Sequence, residues 1–422
     1  MADKTLKYRY VVFGFTALAF FFVYFHRTST AVMASELSAT FNIDPAAIGL
    51  LGSMYFYAYA LAQIPSGILA DRWGVRKTTS LFFLLAGVAT LLFAVASSFY
   101  IALVSRFMVG FGVAFVYVPA MRILTDWFRK DEFTTYSGIL GAVGNSGALA
   151  AAAPLVALMV AFGWRNTMTG VGLITFVIAV LFYIFVRNKP ADIGGASIAE
   201  IEGTPPISTT STGTIETIGI VVRKYNFWTM AALFCVWIGT MFAFQGLWAG
   251  PYLMNVYQYT DAETGNLIML IAIGALIGCP LSGLIADKFF PTKKKIALIT
   301  VTLYTLTWIP LVFMTDFMSL NLLRVLMFLF GFLAYANVII WANLKENIDS
   351  RIMGTASGLL NFFGFMGAAV YQHLLGVIIS KAPVANNLIA ASGFKSAFML
   401  CLISLVIAII FFSTQKENKD QA

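Results

Sequence analysis

The chain has 422 residues, of which 60% are hydrophobic and only 11% are charged, and its formal net charge is +8 at pH 7. A soluble globular domain carries about a quarter charged residues, so this composition excludes a water-soluble protein and indicates one embedded in a membrane. The cysteines Cys235, Cys279 and Cys401 lie inside apolar segments without metal-ligand spacing, and we expect neither a metal site nor a cofactor.

Long apolar segments recur along the whole chain. A helix needs roughly 20 apolar residues to cross the hydrocarbon core of a bilayer. Segments of that length predict twelve membrane-spanning helices, at residues 10–33, 47–70, 78–97, 99–126, 134–162, 166–186, 227–256, 264–286, 296–314, 318–344, 352–380 and 392–413. The fold class predicted is therefore an all-α membrane protein with twelve transmembrane helices.

The segment between the sixth and seventh spans, residues 187–224, is rich in Gly, Pro, Ser and Thr and cannot form a core. It predicts a flexible linker between two six-helix bundles, one at residues 1–186 and one at 225–422 that ends in a short tail. The linker thus divides the chain into two halves.

The lysines and arginines of the loops fall almost entirely on alternate loops, such as those that hold Arg72 and Lys130. The opposite loops hold only Arg165, Lys381 and Lys395. Because cytoplasmic loops carry the excess of basic residues, this asymmetry predicts that both termini and the linker are cytoplasmic. The chain shows no targeting extension, and we expect a multi-pass protein of a prokaryotic inner membrane.

A short motif occurs after the second span and again after the eighth. The first copy contains Gly67, Asp71, Arg72, Gly74 and Arg76, and the second copy contains Gly283, Asp287 and Lys288. Glycine lets helices approach closely, an aspartate is favourable at a helix N-terminus, and the cations favour the anionic leaflet. A generic basic loop explains the cations but not the repeated spacing, which indicates a duplicated carrier architecture.

This repeated loop resembles the signature of the major facilitator superfamily, and the resemblance covers nearly the whole chain. It implies two pseudo-symmetric six-helix bundles, alternating access to a central cavity, and a loop that latches the halves together. It also implies a small-molecule substrate, a monomer and no nucleic-acid partner. The second copy departs from the family pattern, because Phe290 replaces its second glycine.

A narrower resemblance concerns Tyr24, His26 and Arg27 in the first span and the fourth-span residues Arg106 and Arg122. These are similar to motifs of the organic-anion branch, the anion:cation symporters. The branch usually has an aspartate at the position of His26. The resemblance implies a carboxylate, sugar acid or phosphorylated metabolite as substrate and protons as a coupling ion.

Arg27, Arg106, Arg122 and Arg324 are the cations within spans, whereas no Asp or Glu occupies the middle of a span. A charge at mid-bilayer costs on the order of 3 kcal/mol or more and must face a partner or a wet cavity. A guanidinium holds carboxylate or phosphate bidentately, so Arg27 is predicted to bind an anionic substrate. Arg122 either binds substrate or pairs locally with Asp126, four residues later.

His26 and Arg106 are predicted to act in proton coupling. Histidine titrates near neutral pH, and His26 lies next to the predicted anchor. A neutral, hydrogen-bonding His26 is an equal alternative, because adjacent residues on a helix point about 100° apart. For Arg106 the alternatives are helix packing and substrate contact.

Polar and aromatic residues in the predicted cavity-lining spans are further candidates for substrate contact. Gln245 and Trp248 share a helix face just before Gly250-Pro251, which we expect to break or kink the seventh span. Spacing of four places Asn337 with Trp341, and Tyr55 with Tyr59, on shared faces. The remaining candidates are Tyr24, Asn145 and Asn361.

Transport and a non-transporting function both remain open at this point. The leading hypothesis is a secondary active transporter for a small organic anion, working by symport or exchange with Arg27 as anchor. The alternatives are an exporter of a metabolite, siderophore or drug, a peptide or zwitterion carrier, and a non-transporting sensor. The sequence contains no P-loop and no catalytic constellation, so an enzyme is not expected.

Overall fold

A computed structural model describes residues 2–202, 214–289, 293–348, 352–385 and 388–416. Nearly all of these residues are helical, and the β-structure among them is one antiparallel ladder of β1 (Val384–Ala385) and β2 (Leu388–Ile389). Residues 203–213 of the predicted linker and 417–422 of the predicted tail lie outside the described residues.

Eight helices form the predicted N-terminal half: α1 (Ala2–Thr28), α2 (Thr30–Phe41), α3 (Pro45–Trp73), α4 (Val75–Ala94), α5 (Phe99–Val113), α6 (Tyr117–Trp127), α7 (Lys130–Ala150) and α8 (Ala153–Phe185). A 3-10 turn at Pro190–Ile193 and the short helices α9 (Ile198–Glu202) and α10 (Thr214–Val222) follow within the predicted linker.

The predicted C-terminal half contains α11 (Tyr225–Ala243), α12 (Ala249–Val256), α13 (Asp261–Phe289), α14 (Lys293–Leu306), α15 (Trp308–Phe313), α16 (Leu320–Ala334), α17 (Ile339–Asn347), α18 (Met353–Ile379) and α19 (Ala391–Ser413). A π-helical turn at Phe244–Trp248 joins α11 to α12, and a 3-10 turn at Tyr335–Val338 joins α16 to α17.

Eleven helical segments of the described chain are long and apolar enough to cross a membrane. Helix α7, which covers much of the predicted fifth span, is not among them, so the number twelve remains a prediction. The backbone of α8 is not helical at Gly163, where φ is 77° and ψ is 153°. This interruption falls between the predicted fifth span (134–162) and sixth span (166–186).

The π-helical turn in the predicted seventh span immediately precedes Gly250-Pro251. Proline has no N–H, so Pro251 cannot donate to the carbonyl of Leu247 as the regular helical pattern requires. A π-helical turn of five residues stands at this place, and such turns are a known way for a helix to absorb an interrupted hydrogen-bond ladder.

At one end of the bundle the two predicted halves meet through glycines. A Cβ added at Gly49 of α3 would lie 2.7 Å from the main-chain oxygen of Gln372 in α18. A Cβ added at Gly52 would lie 2.7 Å from Oε1 of the same glutamine. A Cβ at Gly250 would overlap the carbonyl oxygen of Ala31. Only glycine permits backbones to approach this closely. We call the contacts of Gly49, Gly52 and Gly250 the glycine seam.

Near the opposite end the halves separate around a cleft of about 550 Å³. Residues from α3 and α6 line one side of this cleft, and residues from α17 and α18 line the other. Helix α3 runs from the seam at Gly52 to the cleft at Gly67, a rise of roughly 20 Å. The cleft therefore lies toward the predicted cytoplasmic end.

Candidate substrate-binding site

Arg27 lies in the last turn of α1, at the centre of the bundle, and only 3% of its surface is exposed. Its guanidinium carbon is 4.6 Å from the ring centroid of Tyr24 and 5.0 Å from that of Tyr59. It is also 5.1 Å from Phe242 and 4.9 Å from Phe365. We call these four rings the aromatic cage. Two of them come from each predicted half, so the cage bridges the halves.

The charge of Arg27 has no acidic partner within the described residues. The ion pairs there involve other cations, and Arg27 Nε lacks a hydrogen-bond partner. Each ring can offset roughly 0.5–2 kcal/mol through cation–π attraction, whereas burying an unpaired charge costs several kcal/mol. A carboxylate or phosphate oxygen would satisfy the guanidinium and compensate its charge.

The structure brings all three predicted tyrosines to Arg27, Tyr24 and Tyr59 through their ring faces and Tyr55 through its hydroxyl. Tyr55 stacks on Tyr59 with ring centroids 6.0 Å apart. Its hydroxyl donates a hydrogen bond of 3.0 Å to the carbonyl of Val23, so it fastens α3 to α1. Tyr55 therefore lies beside Arg27 and also packs against the cage through Tyr59.

Two amides lie between the aromatic cage and the cleft. Asn361 Nδ2 donates to Gln63 Oε1 at 3.4 Å, and Gln63 Nε2 donates to the carbonyl of Tyr59 at 3.3 Å. Gln63 lies one helical turn beyond Tyr59, and Asn361 lies one turn before Phe365. Both amides line the cleft, as does Trp341. The sequence predictions included Asn361 and Trp341 but missed Gln63, whose spacing of four from Tyr59 was the available signal.

A second group of polar atoms lies on the C-terminal side of the cage. Gln245, in the π-helical turn, is 2% exposed, and its Oε1 has no well-aligned hydrogen-bond partner among the described residues. Tyr335, which the sequence predictions missed, lies close to both Gln245 and Arg27, and the same holds for its hydroxyl. The hydroxyl of Tyr335 and the amide of Gln245 can pair with each other or with a ligand bound at Arg27.

Three other predicted contact residues bind main-chain carbonyls. Asn337 and Asn145 donate to carbonyls of their own helical segments at 2.8 and 3.0 Å. Trp248 Nε1 donates to the carbonyl of Gln372 at 2.9 Å, and its ring packs at the seam beside Gly376. The structure places Trp248 with the seam, whereas Gln245, three residues earlier, lies near the cage.

His26 and Arg106 lie together on another side of α1. His26 is fully buried, and its Nε2 is 3.2 Å from the hydroxyl of Thr175 in α8. Arg106 donates to the carbonyl of His26 at 3.2 Å and to the hydroxyl of Thr30 at 2.7 Å. Arg106 thus joins the end of α1 to the first residue of α2, on either side of Ser29, which separates the two helices. The side chains of His26 and Arg27 face different neighbours.

Arg122 forms ion pairs with two aspartates near the cleft. Its Nη1 contacts Asp71 at the end of α3, and its Nε is 3.7 Å from Asp126. Its side chain is 34% exposed. The local pair with Asp126 that the spacing allowed is present, together with a tertiary pair to the repeated motif. The structure therefore places Arg122 at the motif and not at Arg27.

The first copy of the motif is bound to the end of α8 and to the residues after it. Gly74 has φ 81° and ψ 158°, and a Cβ there would lie 2.6 Å from Asn188 Oδ1. The amide of Arg76 donates to the same oxygen at 2.9 Å, and Arg76 Nε donates to the carbonyl of Tyr183 at 2.7 Å. These contacts join the motif to α8 and to the first residues of the predicted linker, and none of them reaches the C-terminal half.

The remaining motif residues have less defined surroundings. Arg72 is exposed, and a Cβ at Gly67 would meet Val118 at an ordinary distance of 3.8 Å. The side chains of the second copy, Gly283, Asp287 and Lys288, lie outside the part of the chain that the structure describes. A role of that copy as a latch stays a prediction.

Residues 16–371 match the family model of the Major Facilitator Superfamily. Several curated relatives align over almost their full length. The Probable hexose phosphate transport protein of Chlamydia trachomatis is 24% identical, over 100% of this chain and 94% of the relative. The Probable sulfoacetate transporter of Cupriavidus necator is 24% identical, over 90% and 89%. The Probable galactarate/D-glucarate transporter of Bacillus subtilis is 23% identical, over 100% and 97%.

Among solved structures, the chain is similar to a bacterial homologue of the human lysosomal transporter Spinster in an inward-facing, unoccupied conformation. The TM-score is 0.73 at 21% identity, and 96% of each chain is covered. This similarity concerns the fold, whereas the family match covers most of the sequence. The chain therefore belongs to the Major Facilitator Superfamily and is a multi-pass membrane transporter, not an enzyme.

Proposed function

We propose that this transporter carries a small organic anion, a carboxylate, sugar acid or phosphorylated metabolite, and that Arg27 is the anchor for its negative charge. The observation that supports this proposal most strongly is the buried guanidinium inside the aromatic cage, which has no acidic partner among the described residues. Relatives named for hexose phosphate, sulfoacetate and glucarate support the same substrate class.

The substrate reaches Arg27 by alternating access between the bundles at 1–186 and 225–422, which the linker at 187–224 connects. The glycine seam closes one end of the bundle and the cleft opens the other, as is expected of a carrier in a state that is open toward one side of the membrane. The distribution of basic residues among the loops supports a cytoplasmic position of the cleft. The carrier works as a monomer in the inner membrane of a prokaryote.

The remaining predicted residues take roles according to their position. The residues that contact the substrate or control its passage are Tyr24, Tyr59, Gln245 and Asn361, together with Gln63. Arg106 and Tyr55 support the cage, and the Asp71–Arg122 pair belongs to the conformational latch. The transport cycle is coupled by proton symport or by exchange, with His26 as the titrating group.

The direct test is uptake into proteoliposomes that contain the purified protein. Radiolabelled D-glucarate, glucose 6-phosphate and sulfoacetate are supplied outside, with the internal pH and the internal counter-anion varied. We expect saturable uptake of at least one anion, and near-complete loss of uptake in Arg27→Ala.

The matched control is Arg324→Ala, because Arg324 is an exposed arginine of α16. It should transport like the unchanged protein. Equal uptake by Arg27→Ala and by the control would remove Arg27 from the anchor role. Uptake of neutral or cationic solutes in place of every anion would contradict the substrate class.

A further inference from the structure

A groove of about 650 Å³ lies between α4 and α8, and none of its lining residues belongs to the cleft. Large apolar side chains in its wall are strongly exposed, 53% for Leu81, 38% for Val180 and 46% for Tyr183. In a membrane protein such a surface faces lipid. Acyl chains of the bilayer therefore lie against this groove.

One end of the groove is positively charged. Arg72, at the end of α3, and Lys77, in the first turn of α4, both line it and are exposed. Within the described residues neither cation forms an ion pair or a side-chain hydrogen bond. Both lie at the end that the basic loops predict to be cytoplasmic, where the leaflet is anionic.

A buried polar atom lies one turn deeper in the same groove. Ser80 is 6% exposed and lines the groove, yet its Oγ has no hydrogen-bond partner in the part of the chain that the structure describes. Many other hydroxyls in these helices donate to a carbonyl of their own helix, as Thr90 does at 2.8 Å. Ser80 is about 4.5 Å deeper along α4 than Lys77. That interval matches the step from a lipid phosphate to the glycerol and ester oxygens below it.

We propose that this groove binds one anionic phospholipid. Arg72 and Lys77 hold the headgroup phosphate, and Ser80 donates to a glycerol or ester oxygen. An acyl chain lies along Leu81 and Val180. Two features favour a lipid over a protein partner. The groove is complementary in charge to an anionic headgroup, and its cations, hydroxyl and apolar wall follow one another in the order of the headgroup, the ester oxygens and the acyl chain of a phospholipid. Arg72 belongs to the motif loop next to Gly74, so the lipid contacts the loop that connects α3 to α4.

Native mass spectrometry of the full chain tests this proposal. The protein is released from micelles that contain equal amounts of dioleoyl phosphatidylglycerol and dioleoyl phosphatidylcholine. It should retain phosphatidylglycerol preferentially. The variant Arg72→Gln/Lys77→Gln should lower that preference by about tenfold or more, because each cation near an anionic surface contributes roughly a fivefold factor. The control Arg223→Gln/Lys224→Gln removes the same charge outside the groove and should keep the preference.

A phosphatidylglycerol with a diazirine on its acyl chain shows where on the protein the lipid binds. Photolabelling should mark the peptides that contain Leu81–Leu84 and Val180–Tyr183 in the unchanged protein. Equal retention of both lipids, equal losses in the two double variants, or labels confined to other helices would each overturn the proposal. Labelling of the groove peptides that persists unchanged in Arg72→Gln/Lys77→Gln would show an apolar contact only and would also overturn it.

Discussion

The side-chain amide of Asn361 in α18 donates a 3.4 Å hydrogen bond to Gln63 in α3, and this bond joins the two predicted halves next to the aromatic cage. Tyr59 and Phe365, one turn away on the same two helices, have ring centroids 4.4 Å apart. The cage and the amide pair thus form two successive layers between Arg27 and the cleft. A substrate that moves between Arg27 and the cleft must pass both.

Removing either amide should change the exchange rate by the same factor. A neutral hydrogen bond contributes about 0.5–1.5 kcal/mol, which corresponds to roughly a twofold to tenfold effect. We expect Gln63→Leu, Asn361→Leu and the double variant to give similar rates of substrate exchange in proteoliposomes, because each removes the bond between the halves and the other bond of Gln63 stays within α3. Multiplicative effects in the double variant would show that the two amides act independently.

The glycine seam should not tolerate a methyl group. In Gly49→Ala the new Cβ would lie 2.7 Å from the main-chain oxygen of Gln372, which cannot rotate away as a side chain can, so the seam must separate. Spin labels at Ser35 and Val384, exposed positions near the seam on opposite halves, report the separation. We expect a longer inter-label distance in Gly49→Ala than in Gly358→Ala, where the Cβ meets no described atom within 4 Å. Identical distance distributions would contradict a closed seam that depends on glycine.

The motif loop should depend on Gly74 more than on Gly67. A φ of 81° with ψ 158° is open almost only to glycine, and a side chain there would also strike Asn188. We expect Gly74→Ala to destabilise the fold by about 1–3 kcal/mol, seen as a lower melting temperature in detergent. Gly67→Ala, with its ordinary 3.8 Å contact, is the matched control and should melt close to the unchanged protein. The reverse order would refute this conformational assignment.

If His26 carries the coupling proton, its replacement should affect the pH dependence of uptake more than substrate binding. Glutamine can still reach the hydroxyl of Thr175 but cannot titrate in the range near neutral pH. His26→Gln should therefore flatten the rate of uptake between about pH 5 and 8. Thr175→Val keeps the imidazole and should keep a pH-dependent rate. A steep, unchanged profile in His26→Gln would assign His26 to packing alone.

Several features of the site were open to prediction because they follow from local sequence. Arg27 stood out since no acid lies at mid-span, and the repeated motif was visible as a spacing. The expectation that Gly250-Pro251 disturbs the seventh span follows from proline chemistry alone. The family resemblance made Gln245 and Trp248 candidates for substrate contact, and their spacing of three put both on one helix face, so periodicity could not separate them.

Other features depend on tertiary contacts that no periodicity encodes. Helical geometry states that His26 and Arg27 point about 100° apart, but only packing decides which of them meets α8. The pair of Arg122 with Asp71 joins two helices, so the i,i+4 rule could supply only its partner Asp126. Tyr335 was missed because a phenol in an apolar segment carries no signal until its neighbours are known, whereas Gln63 could have been found from its spacing of four from Tyr59.

The central claim is that the Arg27 guanidinium holds the negative charge of the substrate, and equilibrium binding of a transported anion tests it most directly. The dissociation constant of the radiolabelled anion is measured on detergent-solubilised protein for Arg27→Ala, Arg27→Lys and the exposed control Arg324→Ala. Hydrogen bonds to a charged group contribute about 1.5–3 kcal/mol each, so loss of a two-bond fork should weaken binding by at least about a hundredfold in Arg27→Ala. Arg27→Lys should recover part of that loss, and Arg324→Ala should bind normally. Unchanged affinity in Arg27→Ala would contradict the account.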